Sequence, residues 1–247
     1  MNIMKKCSVI IPVYNEEKTI DQLLNQVVKV DFAHAWYALQ IVVVNDGSKD
    51  QSKQCISRFI NEHPNLDIVY IEHSNWGKWY SIKRGIEKAD GDVFVIQDAD
   101  LEYDPHDLPV LLRYLDHKKC DVIYGSRVLW FQKYGIHYST FAFLIWGLGI
   151  SFITSLFCWR LVTDEPTCYK MFRSHLKKTL LFPKENGFEW EPAITMLLLR
   201  DRKIRYGEIP IHYAPRKHSQ WKKIKFKDGI KALKTLWKYR FFTYKAQ

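Results

Sequence analysis

Hydrophobic residues along the first half of the chain fall into two alternating rhythms. Short β-rich runs over Cys7 to Pro12, Gln40 to Val44, Ile68 to Glu72, Asp92 to Gln97 and Asp121 to Gly125 predict strands. Between them, Glu16 to Lys29, Asp50 to Asn61, Lys78 to Lys88 and His106 to His117 place apolar residues at helical spacing. Turn chemistry separates the runs at Asn45-Asp46-Gly47-Ser48, His63-Pro64-Asn65 and Asp90-Gly91. Alternation of strand and helix predicts an α/β domain with a mostly parallel central sheet.

The second half follows other rhythms. From Phe141 to Trp159 there are 19 residues without a charge, the length at which a membrane span has to be considered. Gly147, Gly149, Ser151, Thr154 and Ser155 interrupt that run near helical spacing, so one face differs from the apolar rest. An interfacial or core-packed helix is expected rather than a span or two shorter helices. Glu191-Pro192 opens a helix through Arg200, with proline suited to the first turn. Ile209, Ile211 and Tyr213 alternate like a strand that Pro210 confines to a sheet edge or a strand end. Phe226, Ile230, Leu233, Trp237 and Phe241 then recur at helical spacing beside a stripe of Lys223, Lys227, Lys231, Lys234 and Lys238. Such a basic amphipathic helix either lies on an anionic membrane or packs on the body with its lysines in water.

Charge sharpens this division. Of a net charge of +10, residues 214–247 supply all, with eleven Lys or Arg against the single acid Asp228, and the rest of the chain is balanced. A neutral body with a basic tail points to an anionic partner, lipid headgroups or nucleic acid. The five cysteines include no Cys-x-x-Cys pair, which excludes a disulfide framework and a zinc site of that kind and fits a reducing compartment. With 247 residues, 47% of them hydrophobic, the chain is neither disordered nor in need of covalent staples. The apolar run after the basic opening is broken by Pro12 and too short for a secretory leader, so it is expected to be the first strand.

The residues suited to chemistry cluster at predicted strand ends. Asp98-Ala99-Asp100 follows the apolar strand Val93-Phe94-Val95-Ile96. If strand geometry persists, both carboxylates point to one side, at the carboxyl end of a parallel strand, where open α/β sheets hold ligands. Paired carboxylates suit a hard cation such as Mg²⁺, which completes its shell with substrate phosphates and water; Glu102 is placed to add a third oxygen. Asp46 ends an earlier strand, where it either accepts hydrogen bonds from a base or ribose or caps the following helix. Tyr14, in the loop after the first strand, is placed to cover a base. No Gly-x-Gly-x-x-Gly or Walker loop is present, which argues against a dinucleotide or P-loop site. The histidines show no ligand-like spacing and none is assigned to a metal.

In order and spacing, SVIIPVYNEE, VVVNDGS, DADLEYDP, YGSR, TDEPTCYKMFR, GFEWEP and IPIHYAPR, followed by KKIKFKDGIKAL, resemble the motifs of family 2 glycosyltransferases, in particular the polyprenyl-phosphate (dolichyl-phosphate) mannosyl- and glucosyltransferase-like branch. The resemblance runs from Val9 to about Trp237. It implies a GT-A (Rossmann-like) nucleotide-sugar-binding domain over residues 1–213, including the segment 141–159, and a membrane-associated tail over residues 214–247. It also implies a GDP-mannose- or UDP-glucose-type donor, Mg²⁺ or Mn²⁺, and inverting transfer of a single hexose to a polyprenyl phosphate. By position, Pro12, Tyr14, Glu16 and Asp46 would hold the nucleoside, Lys78 a phosphate, and Asp98, Asp100 and Glu102 the metal on the diphosphate. Arg127 and Arg216 would meet the acceptor phosphate, a role for which a planar guanidinium is apt.

A lipid phosphate needs no base, since its second pKa is about 6. A saccharide hydroxyl acceptor, the alternative, needs a carboxylate to take its proton, with Asp164, Glu165, Glu189 and Glu191 as candidates. A further alternative is a binding or scaffolding module of the same fold without activity. Trp79 and Tyr80 stand where relatives carry small residues and are expected to narrow the donor pocket. The expected location is peripheral, on the cytoplasmic face of a membrane, with the tail on an anionic surface and no nucleic acid bound; the oligomeric state stays open.

Overall fold

The computed structural model describes residues 4–134, 141–215 and 226–242. In chain order its elements are β1 (Lys5–Val13), α1 (Ile20–Lys29), β2 (Tyr37–Asn45), α2 (Ser52–Glu62), β3 (Ile68–Glu72), α3 (Lys78–Lys88), β4 (Val93–Ile96), α4 (Leu108–His117), β5 (Val122–Ser126), α5 (Arg127–Tyr134), α6 (Phe141–Cys158), β6 (Lys170–Arg173), α7 (Lys177–Leu181), α8 (Trp190–Leu199), β7 (Tyr206–Pro210) and α9 (Phe226–Phe241). The strands form one seven-stranded sheet in the order β3-β2-β1-β4-β6-β5-β7. All neighbours are parallel except β6, which runs antiparallel to both β4 and β5.

The chain lays β2 and β3 to one side of β1 and then crosses back to place β4 on the other. This reversal makes the carboxyl ends of β1 and β4 the topological switch point, where an open α/β sheet has a ready crevice. Pro12 lies in the central strand β1, yet β4 pairs with β1 only as far as Ile10, so the missing N–H falls beyond the end of that ladder. Pro210 ends β7, which is itself an edge strand, so both expectations for it hold.

The five strands read from alternation are all present, extended or trimmed by a few residues. α1 begins at Ile20 instead of Glu16 because residues 16–19 form a turn, in which the Glu16 carbonyl accepts from the Thr19 and Ile20 N–H groups. The strand β6 was not anticipated. It is four residues long and contains Lys170 and Arg173, a composition that hides a central strand.

α6 is a continuous helix, and among the described residues no helix is long and apolar enough to cross a membrane. Its polarity is inverted: Ser151, Thr154 and Cys158 are buried, while Ile145, Leu148, Phe152 and Leu156 are exposed, Phe152 to 70%. The inner face packs on α8 and α9. Every residue of α8 is buried, which makes it the central helix of this side of the sheet. α9 approaches α6 closely at Gly229, where a Cβ would lie inside the indole of Trp146.

Candidate active site

β4 ends at Ile96, before the acids, so Asp98 and Asp100 are held by a turn instead of an extended strand. Leu101 takes a left-handed conformation (φ 62°), and the Asp100 carboxylate accepts from the Glu102 N–H at 3.3 Å, which folds the loop back at the switch point. Both aspartates are buried. Lys78, the first residue of α3, sets its ammonium 2.5 Å from Asp98 Oδ1. Burial opposes the charge on Lys78, but the negative groups around it, the Asp98 carboxylate first among them, together outweigh burial, and the lysine holds its proton more tightly than usual. The Glu102 Oε2 accepts from the Tyr213 hydroxyl at 3.2 Å.

Among the described residues no group of three or more His, Cys, Asp or Glu is gathered as a metal cage. Asp98 and Asp100 nevertheless fit a cation that takes one or two carboxylates and completes its shell with phosphates. The Lys78 ammonium on Asp98 marks that carboxylate as a place where positive charge settles.

Across the β1 end, the loops are laced together. The Asn15 side chain accepts from Lys49 N–H at 2.8 Å, and the Ser48 hydroxyl accepts from Asn15 N–H at 3.0 Å. Glu16 accepts from the Thr19 hydroxyl at 2.9 Å and so buttresses the entry to α1. Asp46 accepts from the Trp76 N–H at 2.8 Å and from the Gly77 N–H at 3.0 Å. It therefore pins the connection that leads into α3, not the start of the helix that follows it in sequence. Gly47 (φ +66°) permits this closeness, since a Cβ there would lie 2.8 Å from Asn75 N. Tyr14 is 43% exposed at the same edge.

Trp79 lies beside the acids, its ring centroid 4.9 Å from the Lys78 ammonium. It is buried, stacked on Trp190 with centroids 5.7 Å apart and edge-on to Phe188, so it fills the joint between α3 and α8. Tyr80 instead stacks on Trp76.

On the other side of the acids, β5 delivers Arg127. Its Nε and Nη2 donate to the two oxygens of Asp164, each at 2.8 Å, its main-chain N–H donates to the same carboxylate, and Nη2 reaches the Pro166 carbonyl at 3.0 Å. The guanidinium also lies over the Tyr213 ring. Asp164 is thus the residue that aims Arg127, a partnership that the spacing of the two residues in sequence does not reveal. The segment bearing Asp164 is fastened to α6: Ser155 Oγ accepts from Val162 N–H at 2.9 Å and Ser151 Oγ from Glu165 N–H at 2.9 Å.

Behind the site lies a buried ionic group. Lys170 is fully buried and donates to the Thr167 carbonyl at 2.6 Å, with Glu191 Oε1 3.5 Å away. Glu165 accepts from the Thr195 hydroxyl at 3.2 Å, and that hydroxyl also pairs with Tyr124 at 2.8 Å. Burial pushes the Glu165 carboxyl up, Lys170 opposes the rise and Glu191 adds to it, and the result is a pKa of about 7. Glu189 pairs at 3.5 Å with Lys231 of α9. Arg216 lies outside the described residues.

These features define an open α/β protein with an acid pair at its switch point and an oriented arginine beside it. The profile of "Glycosyl transferase family 2" matches residues 8–180, and the chain belongs to that family. It is 36% identical over 44% of its length to the undecaprenyl-phosphate 4-deoxy-4-formamido-L-arabinose transferase of Proteus mirabilis, spanning 33% of that protein. It is 28% identical over 83% of its length to the dolichyl-phosphate beta-glucosyltransferase ALG5D of Trichomonas vaginalis, spanning 65% of it. The chain thus spans about a third and just under two thirds of these relatives. Among solved structures, glucosyl-3-phosphoglycerate synthase from Mycobacterium tuberculosis, in complex with Mn²⁺, UDP and phosphoglyceric acid, superposes with a TM-score of 0.67 at 14% identity, over 97% of this chain and 80% of that one. The fold is GT-A, as the motifs imply.

Proposed function

We propose that this protein transfers a single hexose from a nucleotide sugar to a polyprenyl phosphate at a membrane surface, with inversion at the anomeric carbon. The observation that carries this reading is the pairing, across one crevice, of the Asp98–Asp100 acids with an arginine whose planar fork is fixed by Asp164. The named activities of the two relatives, both polyprenyl-phosphate transferases, support the acceptor class.

In this reading Asp98 and Asp100 would hold Mg²⁺ or Mn²⁺, and Lys78, whose ammonium lies on Asp98, would be available to a donor phosphate. Such a cation supplies neutralisation of the charge gathering on the departing nucleoside diphosphate. Pro12, Tyr14, Glu16 and Asp46 shape the nucleoside side, with Asp46 and Glu16 acting through the loops that they brace. Arg127, joined by Arg216, meets the acceptor phosphate. One phosphate oxygen forms the new bond to the anomeric carbon as the bond to the diphosphate breaks. No proton is transferred, because the acceptor oxygen is already largely ionised near neutral pH. Glu102 and Glu189 then keep supporting parts, on Tyr213 and Lys231 respectively.

The exposed apolar face of α6, continued by Trp159 and Leu161 and by Trp237 and Phe241 of α9, docks on the bilayer. Lysines of α9 flank it and favour anionic lipid. Docking is peripheral, on the cytoplasmic face, where the donor is made available.

A two-phase assay tests this function. Protein, a short-chain polyprenyl phosphate and labelled GDP-mannose or UDP-glucose are mixed with Mn²⁺ or with EDTA. Label is expected in the organic phase with metal, and not in EDTA or in Asp100→Ala. Label that enters only saccharide acceptors would overturn the lipid-phosphate reading.

A further inference from the structure

Trp76 sits in the connection between β3 and α3, and its surroundings hold it rigid. Its main-chain N–H is bound by Asp46 at 2.8 Å, and its indole N–H donates to Ser74 Oγ at 2.6 Å. One ring face lies on Tyr80, with centroids 5.3 Å apart and planes inclined by 27°. Tyr80 in turn is braced edge-on by His73, 5.0 Å away. The indole nevertheless remains 60% exposed. Trp79, three residues on, is buried, so the exposure of Trp76 belongs to its place and not to the segment as a whole.

The place itself is informative. Asp46, which pins Trp76, donates its own N–H to the Val13 carbonyl at 2.8 Å, at the end of β1. The acids at the end of β4 stand on the other side of β1. A nucleoside diphosphate with its phosphates at Asp98 and Asp100 has the Arg127–Asp164 pair on the β5 side. Its nucleoside is directed the other way, over β1 toward the ends of β2 and β3. There the exposed face of Trp76 is a flat, pre-stacked surface whose polar N–H is already satisfied, which suits a planar aromatic ligand.

We propose that Trp76, backed by Tyr80, is the stacking platform for the nucleobase of the donor. The inference rests on the nucleotide-sugar reading above and names the residues that take the base. Stacking on an aromatic face accepts any base, because every base has a π-face. Trp76 therefore supplies affinity for uridine and guanosine nucleotides alike and leaves the choice between them to edge contacts.

The test is equilibrium binding of UDP, GDP and inorganic pyrophosphate, each with Mn²⁺, to the wild type, Trp76→Ala, Trp76→Phe and Tyr80→Ala. Thermal melts establish that each variant is folded. Trp76→Ala is expected to weaken UDP and GDP binding about tenfold or more, the scale of base–aromatic stacking. It leaves pyrophosphate binding unchanged; Trp76→Phe restores most of the affinity, and Tyr80→Ala gives a smaller loss. A folded Trp76→Ala protein that binds both nucleotides as the wild type does would overturn the platform. An equal loss for pyrophosphate would overturn it too, since the loop would then act on phosphate. A wild type that binds neither nucleotide overturns the donor reading itself, a result distinct from either.

Discussion

α1 and α6 are built on opposite principles. α1 turns Ile20, Leu23, Leu24 and Val27 inward, large apolar groups into the core, as a surface helix ordinarily does. α6 turns Ser151, Thr154 and Cys158 inward and presents Ile145, Leu148, Phe152 and Leu156 outward. The same contrast separates the two halves of the molecule. Around β1, β2 and β3 the interior is mostly apolar, with the buried Ser8–Gln40 pair as an exception, and other polar groups lace the loops at the strand ends. Around β5, β6 and α8 the interior contains Lys170, Glu165 and Glu191, while the surface carries the apolar groups. The first half turns its apolar helix faces inward, as burial away from water requires; the second half leaves large apolar side chains on its outside, the face that the proposed docking on a bilayer uses.

The sharpest break of this comparison comes at the crevice where the halves meet. Asp100→Ala is expected to reduce transfer on the order of a hundred- to a thousandfold, the scale of losing one preorganised charge at a reacting centre. The fold should survive, since Asp100 stands in a turn outside the ladder. Turnover at saturating donor and acceptor, beside an unchanged melting curve, checks this.

Arg127→Lys follows. Lysine keeps the charge but loses the fork that grips both Asp164 oxygens. A loss of about tenfold or more, carried by acceptor KM with donor binding unchanged, is expected. Asp164→Asn should mimic it by misaiming the arginine. A variant whose donor affinity falls instead would move Arg127 to the first half's chemistry.

The outward face of α6 is expected to matter only to the second half. Phe152→Asp with Leu156→Asp should weaken binding to anionic vesicles roughly tenfold to a hundredfold, from the loss of buried apolar side chains. Turnover on a short, water-soluble acceptor should persist. Vesicle sedimentation beside that soluble assay separates a docking face from a defect in folding.

Legibility divides along the same line. The parallel strands, their helices and the acids after β4 could be read from alternation because most apolar residues there are buried or packed against the core and the turn residues do what turns require. Asp46 was legible as a polar strand end, but its partner was not: its hold on the Trp76 N–H joins residues thirty positions apart. β6 escaped because its pattern contains a fully buried lysine, which reads as a surface residue until Glu191 and the Thr167 carbonyl are brought to it in space. The small residues of α6 were visible as a distinct face, but a stripe of Ser and Thr reads equally as outer or inner. What decides it is that Ser151 and Ser155 find main-chain donors in the segment that carries Asp164. The stacking of Trp79 on Trp190 was hidden for the same reason, since that partner comes from α8.

The smallest expected effect probes the buried charges that set the second half apart. Glu165 is buried, and its carboxyl is raised from 4.5 to about 7, chiefly by burial. Between these two values the native state keeps a proton that the unfolded chain has released. Stability must then fall as pH rises through that window, by about 1.4 kcal/mol per pH unit for one proton at most, and level off above it. Glu165→Gln carries no such proton and keeps the Thr195 contact. Denaturant unfolding at pH 5, 6 and 7 should therefore show a flatter pH dependence in the variant, with its advantage over the wild type growing toward pH 7. Equal slopes in the two proteins would mean that Lys170 holds Glu165 ionised throughout, and that the buried group is an ion pair instead of a shared proton.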